Sequence, residues 1–191
     1  YQKQYDSAVD NAKLAAQKAP WLYESLQLQG MVMMSRGIEA REKGNYDQAL
    51  SDFDLATTNF SSASDIGRSD YINYNLQAES FHQKSDVLIV QGKPRTVELQ
   101  NLLSLSEKAI NANKLSATGY VKAAYANFWI GFGELLNGSS PEPSFKKASE
   151  LAILATGINP ADAYAYDVLG NSLSFYGSYE KDKHRDPLPL W

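Results

Sequence analysis

Small and aromatic residues recur along this chain at helical spacing, and this recurrence limits the possible folds more than any other feature. One set of positions is shifted by the same 41 residues between its first two copies, and a third copy follows later. The copies are Tyr5, Ala8, Ala12, Ala15, Pro20; Tyr46, Ala49, Phe53, Ala56, Ser61; and Phe145, Ala148, Ala152, Ala155, Pro160. Steps of three and four place each set along one stripe of a helix, where alanine lets a second helix approach closely.

A second pattern predicts how these helices are joined. Gly37, Gly44 and Tyr46 are repeated as Gly170, Gly177 and Tyr179. We expect the glycine two residues before the aromatic to lie where a first helix stops, because a left-handed residue forms the turn there. Proline then ends the second helix, since the residue before it is pushed out of helical geometry. Each unit is therefore predicted to be helix, tight turn, helix, stop.

The chain resembles the tetratricopeptide family, whose period of about 34 residues matches the 34 residues from Phe145 to Tyr179. The clearest copy of the family pattern is Tyr166, Leu169, Gly170, Leu173, Gly177 and Tyr179. The resemblance implies an all-α fold, an α-α superhelix of antiparallel helix pairs, irregular in spacing. It divides the chain into about five repeats, the first truncated, at 1–20, 21–64, 65–115, 116–160 and 161–191, with 186–191 as an extended tail.

The spacing between repeats is uneven, so the additional residues must lie in longer helices or in longer turns. We expect a long helix from about Trp21 to Lys43 in the second repeat. The other additions are predicted to lie in turns rich in helix-breaking residues: 61–64, 92–94 and 138–143.

Charge and cysteine content exclude several classes of function. The formal net charge is −4, whereas a nucleic-acid-binding protein needs a concentrated basic surface. The chain has no cysteine, which excludes disulfides and thiolate metal sites.

No stretch approaches the roughly 18 apolar residues that a membrane-spanning helix needs. The sequence lacks an initiator Met and a signal peptide, so we expect a piece of a longer protein, in the cytoplasm by preference.

No catalytic or metal-binding constellation is apparent, so we predict that the chain is not an enzyme and has no cofactor. His82 has Glu79 and Asp86 one turn away on either side, but no second histidine or cysteine joins them. A solvated or groove-lining role is the better interpretation of His82. Asp52 and Asp54 are interpreted as ordinary surface acids, since nothing nearby supplies the apolar pocket of a general acid.

The segment 116–136 carries two apolar stripes on different faces of one helix. Tyr120, Ala123, Ala124 and Asn127 are expected to pack inside their own repeat; the second stripe is Val121, Tyr125, Phe128, Trp129 and Phe132. A helix that is apolar nearly all round is either buried on both sides or presents one side to a ligand. Both interpretations of the second stripe, core and ligand groove, stay open.

In the tetratricopeptide family the first helix of each pair lines a concave groove, which implies a set of partner-binding positions here. The resemblance places in this groove Met34, Ile38, Arg41, Asn75, Glu79, His82, Val121, Tyr125, Phe128, Trp129, Tyr164, Asp167 and Asn171. The Lys/Asn/Arg clamp with which some members grip a carboxylate is replaced by Met, Tyr, Val and Asp. An apolar or mixed peptide held by aromatic anchors suits these residues better.

A narrower resemblance is to the repeat array that follows the catalytic domain in certain bacterial serine/threonine kinases. Its motifs are residues 19–24, 28–30, 35–37, 66–70, 179–180 and 185–187. The hypothesis is a non-catalytic scaffold that binds protein or peptide, within a larger bacterial signalling protein of unknown oligomeric state. The alternative is a regulatory domain that senses a small molecule in an apolar cavity near Trp129.

Overall fold

The computed structural model describes residues 2–183, and side chains from residue 4 onward, and in this part of the chain all regular secondary structure is helical. It contains no strand there, which confirms the prediction of an all-α helical-repeat fold. The helices are α1 (Gln2–Lys18), α2 (Glu24–Glu42), α3 (Tyr46–Ile66), α4 (Tyr71–Val90), α5 (Thr96–Ala112), α6 (Ala117–Leu136), α7 (Glu142–Ile158) and α8 (Ala163–Asp182). None of these helices is both long and apolar enough to cross a membrane.

The helices form two compact units, unit 1 (Tyr1–Ala112) and unit 2 (Asn113–Trp191). In unit 1 each of α1 to α4 packs on the next helix, and α2 also touches α4. In unit 2, α6, α7 and α8 all pack on one another. Facing residues show that α2 and α3 are antiparallel: Gly37 of α2 lies against Phe53 of α3, and Gly30 against Phe60. Division into the five repeats named above stays a prediction.

The small-residue stripes lie in the helix contacts, as predicted for α3 and α7. Ala49, Phe53 and Ala56 are fully buried in unit 1, and the equivalent stripe of α7 is fully buried in unit 2. In α1, by contrast, Ala12 is buried but Ala15 is exposed. The difference follows from packing, because α1 contacts only α2 within unit 1.

Three helices end in the same glycine turn. Gly44, Gly92 and Gly138 have φ of 76°, 65° and 73° and follow α2, α4 and α6. After α2, the Asn45 amide donates to the Ala40 carbonyl at 2.8 Å and the Gly44 amide to the Arg41 carbonyl at 2.9 Å. This is the Schellman arrangement, in which a left-handed residue satisfies the last helical carbonyls. The predicted turns at 92–94 and at the start of 138–143 are thereby confirmed.

Two predicted turns are wrong because a continued helix makes better contacts. Residues 61–64 lie inside α3, where Ser64 is buried and its hydroxyl accepts a hydrogen bond from Gln77 Nε2 of α4 at 2.5 Å. Gly177 lies inside α8, although the pattern shared with Gly44 predicted a helix end. Continuing α8 past this glycine places the Tyr179 hydroxyl 3.3 Å from the Ser140 hydroxyl, just before α7.

The long helix expected from Trp21 to Lys43 is observed as α2, which is slightly shorter at both ends. It begins after Tyr23, and Trp21 is exposed outside it. The tail predicted to be extended, 186–191, lies outside the described residues.

Candidate functional site

The predicted groove residues lie on α2 and α4 in unit 1 and on α6 and α8 in unit 2. Arg41, Glu79 and His82 meet in a polar network between α2 and α4. Arg41 Nη1 donates to Gln83 Oε1 at 2.7 Å and to Asp86 Oδ2 at 3.4 Å, and Gln83 Nε2 donates to Glu79 Oε1 at 2.7 Å. The structure therefore brings Arg41 of α2 to Glu79 and His82, which the sequence had already placed one turn apart on another helix.

His82 lies between the two carboxylates of this network. Its Nδ1 is 3.8 Å from Glu79 Oε2, and its Nε2 is 3.9 Å from Asp86 Oδ2. Within residues 2–183, no group of three or more His, Asp or Glu side chains is arranged to hold a metal ion. The sequence had missed Gln83, which joins Arg41 to Glu79; its position four residues after Glu79 was the available signal.

The other predicted residues of unit 1 differ in their exposure. Met34 belongs to the hydrophobic core, and Asn75 is also buried, with no hydrogen-bond partner for its Oδ1 among the described residues. Ile38 is half-buried and lines a shallow cavity of about 280 Å³ between α1 and α2 together with Tyr5, Ser35, Glu39 and Glu42. A hydrogen bond from Lys43 lowers the pKa of Glu39 at the edge of this cavity.

Asp52 departs from its predicted surface role. Its carboxylate is fully buried and accepts hydrogen bonds from Arg36 Nε at 2.9 Å and from Gln48 Nε2 at 3.0 Å. Bonding to Asp52 raises the pKa of Arg36. A buried carboxylate needs such partners, so Asp52 joins α3 to α2. Asp54 does lie at the surface, where its carboxylate pairs with Lys84 at 2.7 Å.

The second apolar stripe of α6 is divided between core and surface. Val121, Tyr125 and Phe128 are buried, while Trp129 and Phe132 are half-buried. Phe128 packs among α6, α7 and α8, with its ring centroid 5.9 Å from that of Phe145 and 5.6 Å from that of Phe175. Val121 packs against Ala155 and Ala165.

Aromatic rings continue from α6 onto α8. Trp129 packs edge-to-face on Phe132 at 5.4 Å, Phe132 packs edge-to-face on Phe175 at 5.4 Å, and Tyr164 lies 6.2 Å from Tyr125. Tyr164 is 40% exposed, and Phe175 is half-buried. The sequence had missed Phe175, although its place eleven residues after Tyr164 puts it on the same side of α8.

The polar residues predicted on α8 flank these rings. Asp167 is exposed and Asn171 is half-buried, and neither side chain makes a hydrogen bond or ion pair within the described residues. Both lie on one side of α8 with Tyr164, because they follow it by three and seven residues. We define the α6–α8 aromatic surface as Tyr125, Trp129, Phe132, Tyr164 and Phe175 with Asp167 and Asn171 at its edge.

Comparison with protein-family models finds no match, and neither does comparison with curated proteins. Among solved structures, the chain is similar to the first TPR of Spaghetti (RPAP3) bound to the HSP90 peptide SRMEEVD. The two sequences are 13% identical, the match covers 78% of this chain and 93% of that chain, and the TM-score is 0.47. It is similar to the Arabidopsis OM64 TPR domain at 15% identity, 77% and 96% coverage and a TM-score of 0.46. It is similar to the MamA protein at 17% identity, with 84% of this chain and 87% of that chain covered and a TM-score of 0.37. The fold assignment rests on the helix packing described above.

Proposed function

We propose that the chain is a non-catalytic scaffold that binds a protein or peptide segment, with the α6–α8 aromatic surface as its principal contact. The observation that carries this proposal is the continuous row of partly exposed rings from Trp129 through Phe132 to Phe175. Aromatic side chains dominate binding energy at protein interfaces, because each removes a large apolar area from water.

The rings are held in place before any partner arrives. They are carried by two packed helices, and each ring is in edge-to-face contact with the next. A preorganised surface loses little side-chain entropy on binding, so more of the contact energy appears as affinity.

In unit 1, the proposed partner contacts include a polar network. Its members are Arg41, Gln83, Glu79, His82 and Asp86. These side chains are suited to hydrogen bonding with a peptide backbone. The proposed partner-binding positions with accessible side chains are Ile38, Arg41, Glu79 and His82 in unit 1, and Trp129, Tyr164, Asp167 and Asn171 in unit 2. Met34, Asn75, Val121, Tyr125 and Phe128 are buried and support these positions from within each unit.

Selection from a random peptide library on the intact chain tests this function. Selected peptides are expected to bind with an affinity that Trp129→Ala and Tyr164→Ala each reduce at least tenfold, about 1.4 kcal/mol. Ile153→Ala is the matched control, because Ile153 is an exposed apolar residue of α7 outside the surface. Circular dichroism of every variant verifies that the helices are retained.

Two results would contradict the proposal. One is a set of selected peptides that bind all the variants equally well. The other is the absence of peptide binding together with a metabolite whose binding Trp129→Ala abolishes, which would favour the small-molecule sensor instead.

The proposed parent is a bacterial serine/threonine kinase, and the support for this context is the short sequence motifs alone. It is a separate proposal from peptide binding. The protein sequence encoded immediately before Tyr1 in the parent gene tests it, and a catalytic domain of another class would refute it.

A further inference from the structure

The α6–α8 aromatic surface has a one-sided charge. The seven residues that define it include one carboxylate, Asp167, and no lysine or arginine. Asp167 is exposed and makes no ion pair within the described residues. The nearest cation along α6 is Lys122, one turn before Tyr125. The Lys122 side chain is buried and already has an interaction of its own. A negative group of a partner would therefore find no counter-charge in this surface.

The rings reinforce this preference. The face of an aromatic ring carries partial negative charge, so it attracts ammonium and guanidinium groups. Tyr164 is 40% exposed, and it lies one turn from Asp167 on the same side of α8. A guanidinium group beside Tyr164 would meet a carboxylate and a ring face together, a combination that arginine recognises especially well.

We propose that the partner segment of this surface is basic: an apolar or aromatic anchor flanked by arginine or lysine. The anchor packs on Trp129, Phe132 and Phe175, and the flanking cation lies between Tyr164 and Asp167. Asn171 donates or accepts a hydrogen bond at the peptide backbone. This inference rests on the proposed function and specifies the chemical class of its ligand.

Three fluorescein-labelled peptides test the charge preference by fluorescence anisotropy on the intact chain. They share one sequence with a central tryptophan and differ only in the residues on either side of it: arginine, glutamine or glutamate. The expected order of affinity is arginine, then glutamine, then glutamate, with roughly a tenfold difference between the first and the last. The difference in affinity between the arginine and glutamate peptides should become smaller at about 0.3 M salt, because ions screen exposed charges.

Variants of the acidic residue locate the effect. Asp167→Asn should reduce the advantage of the arginine peptide over the glutamine peptide about threefold. Its effect on the affinity for the glutamine peptide should be smaller, because glutamine carries no charge to pair with the lost carboxylate. Glu150→Gln is the matched control, since Glu150 is an exposed acid of α7 outside the surface.

The outcomes separate this inference from the function on which it rests. Equal binding of the arginine and glutamate peptides, or tighter binding of the glutamate peptide, would overturn the inference and leave peptide binding standing. An arginine preference that Asp167→Asn does not reduce would overturn the role given to that carboxylate. If the library selection also yields no peptide that binds the chain, the proposed function is refuted together with this inference.

Discussion

Glycine residues set how closely the paired helices approach. A Cβ placed on Gly37 would lie 2.6 Å from Cε1 and 2.8 Å from Cδ1 of Phe53, closer than carbon atoms pack. Gly131 plays the same part against Phe145, with a corresponding distance of 3.0 Å. Gly133, two residues further along α6, has no atom within 4 Å of such a Cβ. Neighbouring glycines of one helix therefore differ in what a substitution would do.

Gly37→Ala should destabilise the chain by about 1–3 kcal/mol, because overpacking the Phe53 contact outweighs the better helix propensity of alanine. Gly133→Ala is the matched control and should be neutral or stabilising by up to about 1 kcal/mol. Urea unfolding followed by circular dichroism measures both. A stabilising Gly37→Ala would show that the ring of Phe53 moves aside without cost.

Individual polar residues were harder to predict than these glycines. The spacing of Glu79, His82 and Asp86 placed them on one side of a helix, but only the packing of α4 on α2 brings Arg41 to them. Asp52 was misjudged for the same reason, since the residue that pairs with it, Arg36, belongs to another helix. A single sequence without aligned relatives carries no signal of such contacts between helices.

Helix ends show how much local chemistry fixes an element. Asp162 precedes α8, and its Oδ1 accepts hydrogen bonds from the amides of Tyr164 at 3.1 Å and Ala165 at 3.2 Å. Ser116 precedes α6 at the equivalent position, but its side chain makes no capping hydrogen bond. Similar residues at similar positions therefore contribute differently to the two helices.

Asp162→Ala should lower the free energy of unfolding by about 1 kcal/mol, because it leaves two amides of the first turn of α8 without their acceptor. Ser116→Ala should change it by much less, since no such bond is lost. The measurement is the urea midpoint of each variant at constant m-value. A large effect of Ser116→Ala and none of Asp162→Ala would refute this account of the helix starts.

At the scale of the whole molecule, the chain contains two compact units, each with its own buried residues. The core of unit 1 gathers Val9 from α1, Met33 from α2, Phe53 and Phe60 from α3, and Val87 from α4. Apolar burial shared by four helices is the main contribution that we expect to hold unit 1 together.

Residues 1–112 expressed alone should therefore remain helical and unfold in a single cooperative transition. A fragment of residues 1–70 is the control, because it lacks α4 and α5 and so loses Val87 from the shared core and the hydrogen bond from Gln77 to Ser64. Circular dichroism during thermal unfolding distinguishes the two. A non-cooperative transition for residues 1–112 would show that unit 1 is not stable by itself.

The amino-acid sequence was enough to predict the all-α class, the small-residue stripes of α3 and α7, and the glycine turns after α2, α4 and α6. Each of these depends on residues close together in the chain, where helical periodicity and left-handed glycine leave a local signature. Tertiary structure alone decided that α3 continues through residues 61–64, that α8 passes Gly177, and that Phe175 joins the rings of α6. Those outcomes depend on contacts between helices, whose energy exceeds local preferences and has no fixed spacing along the chain.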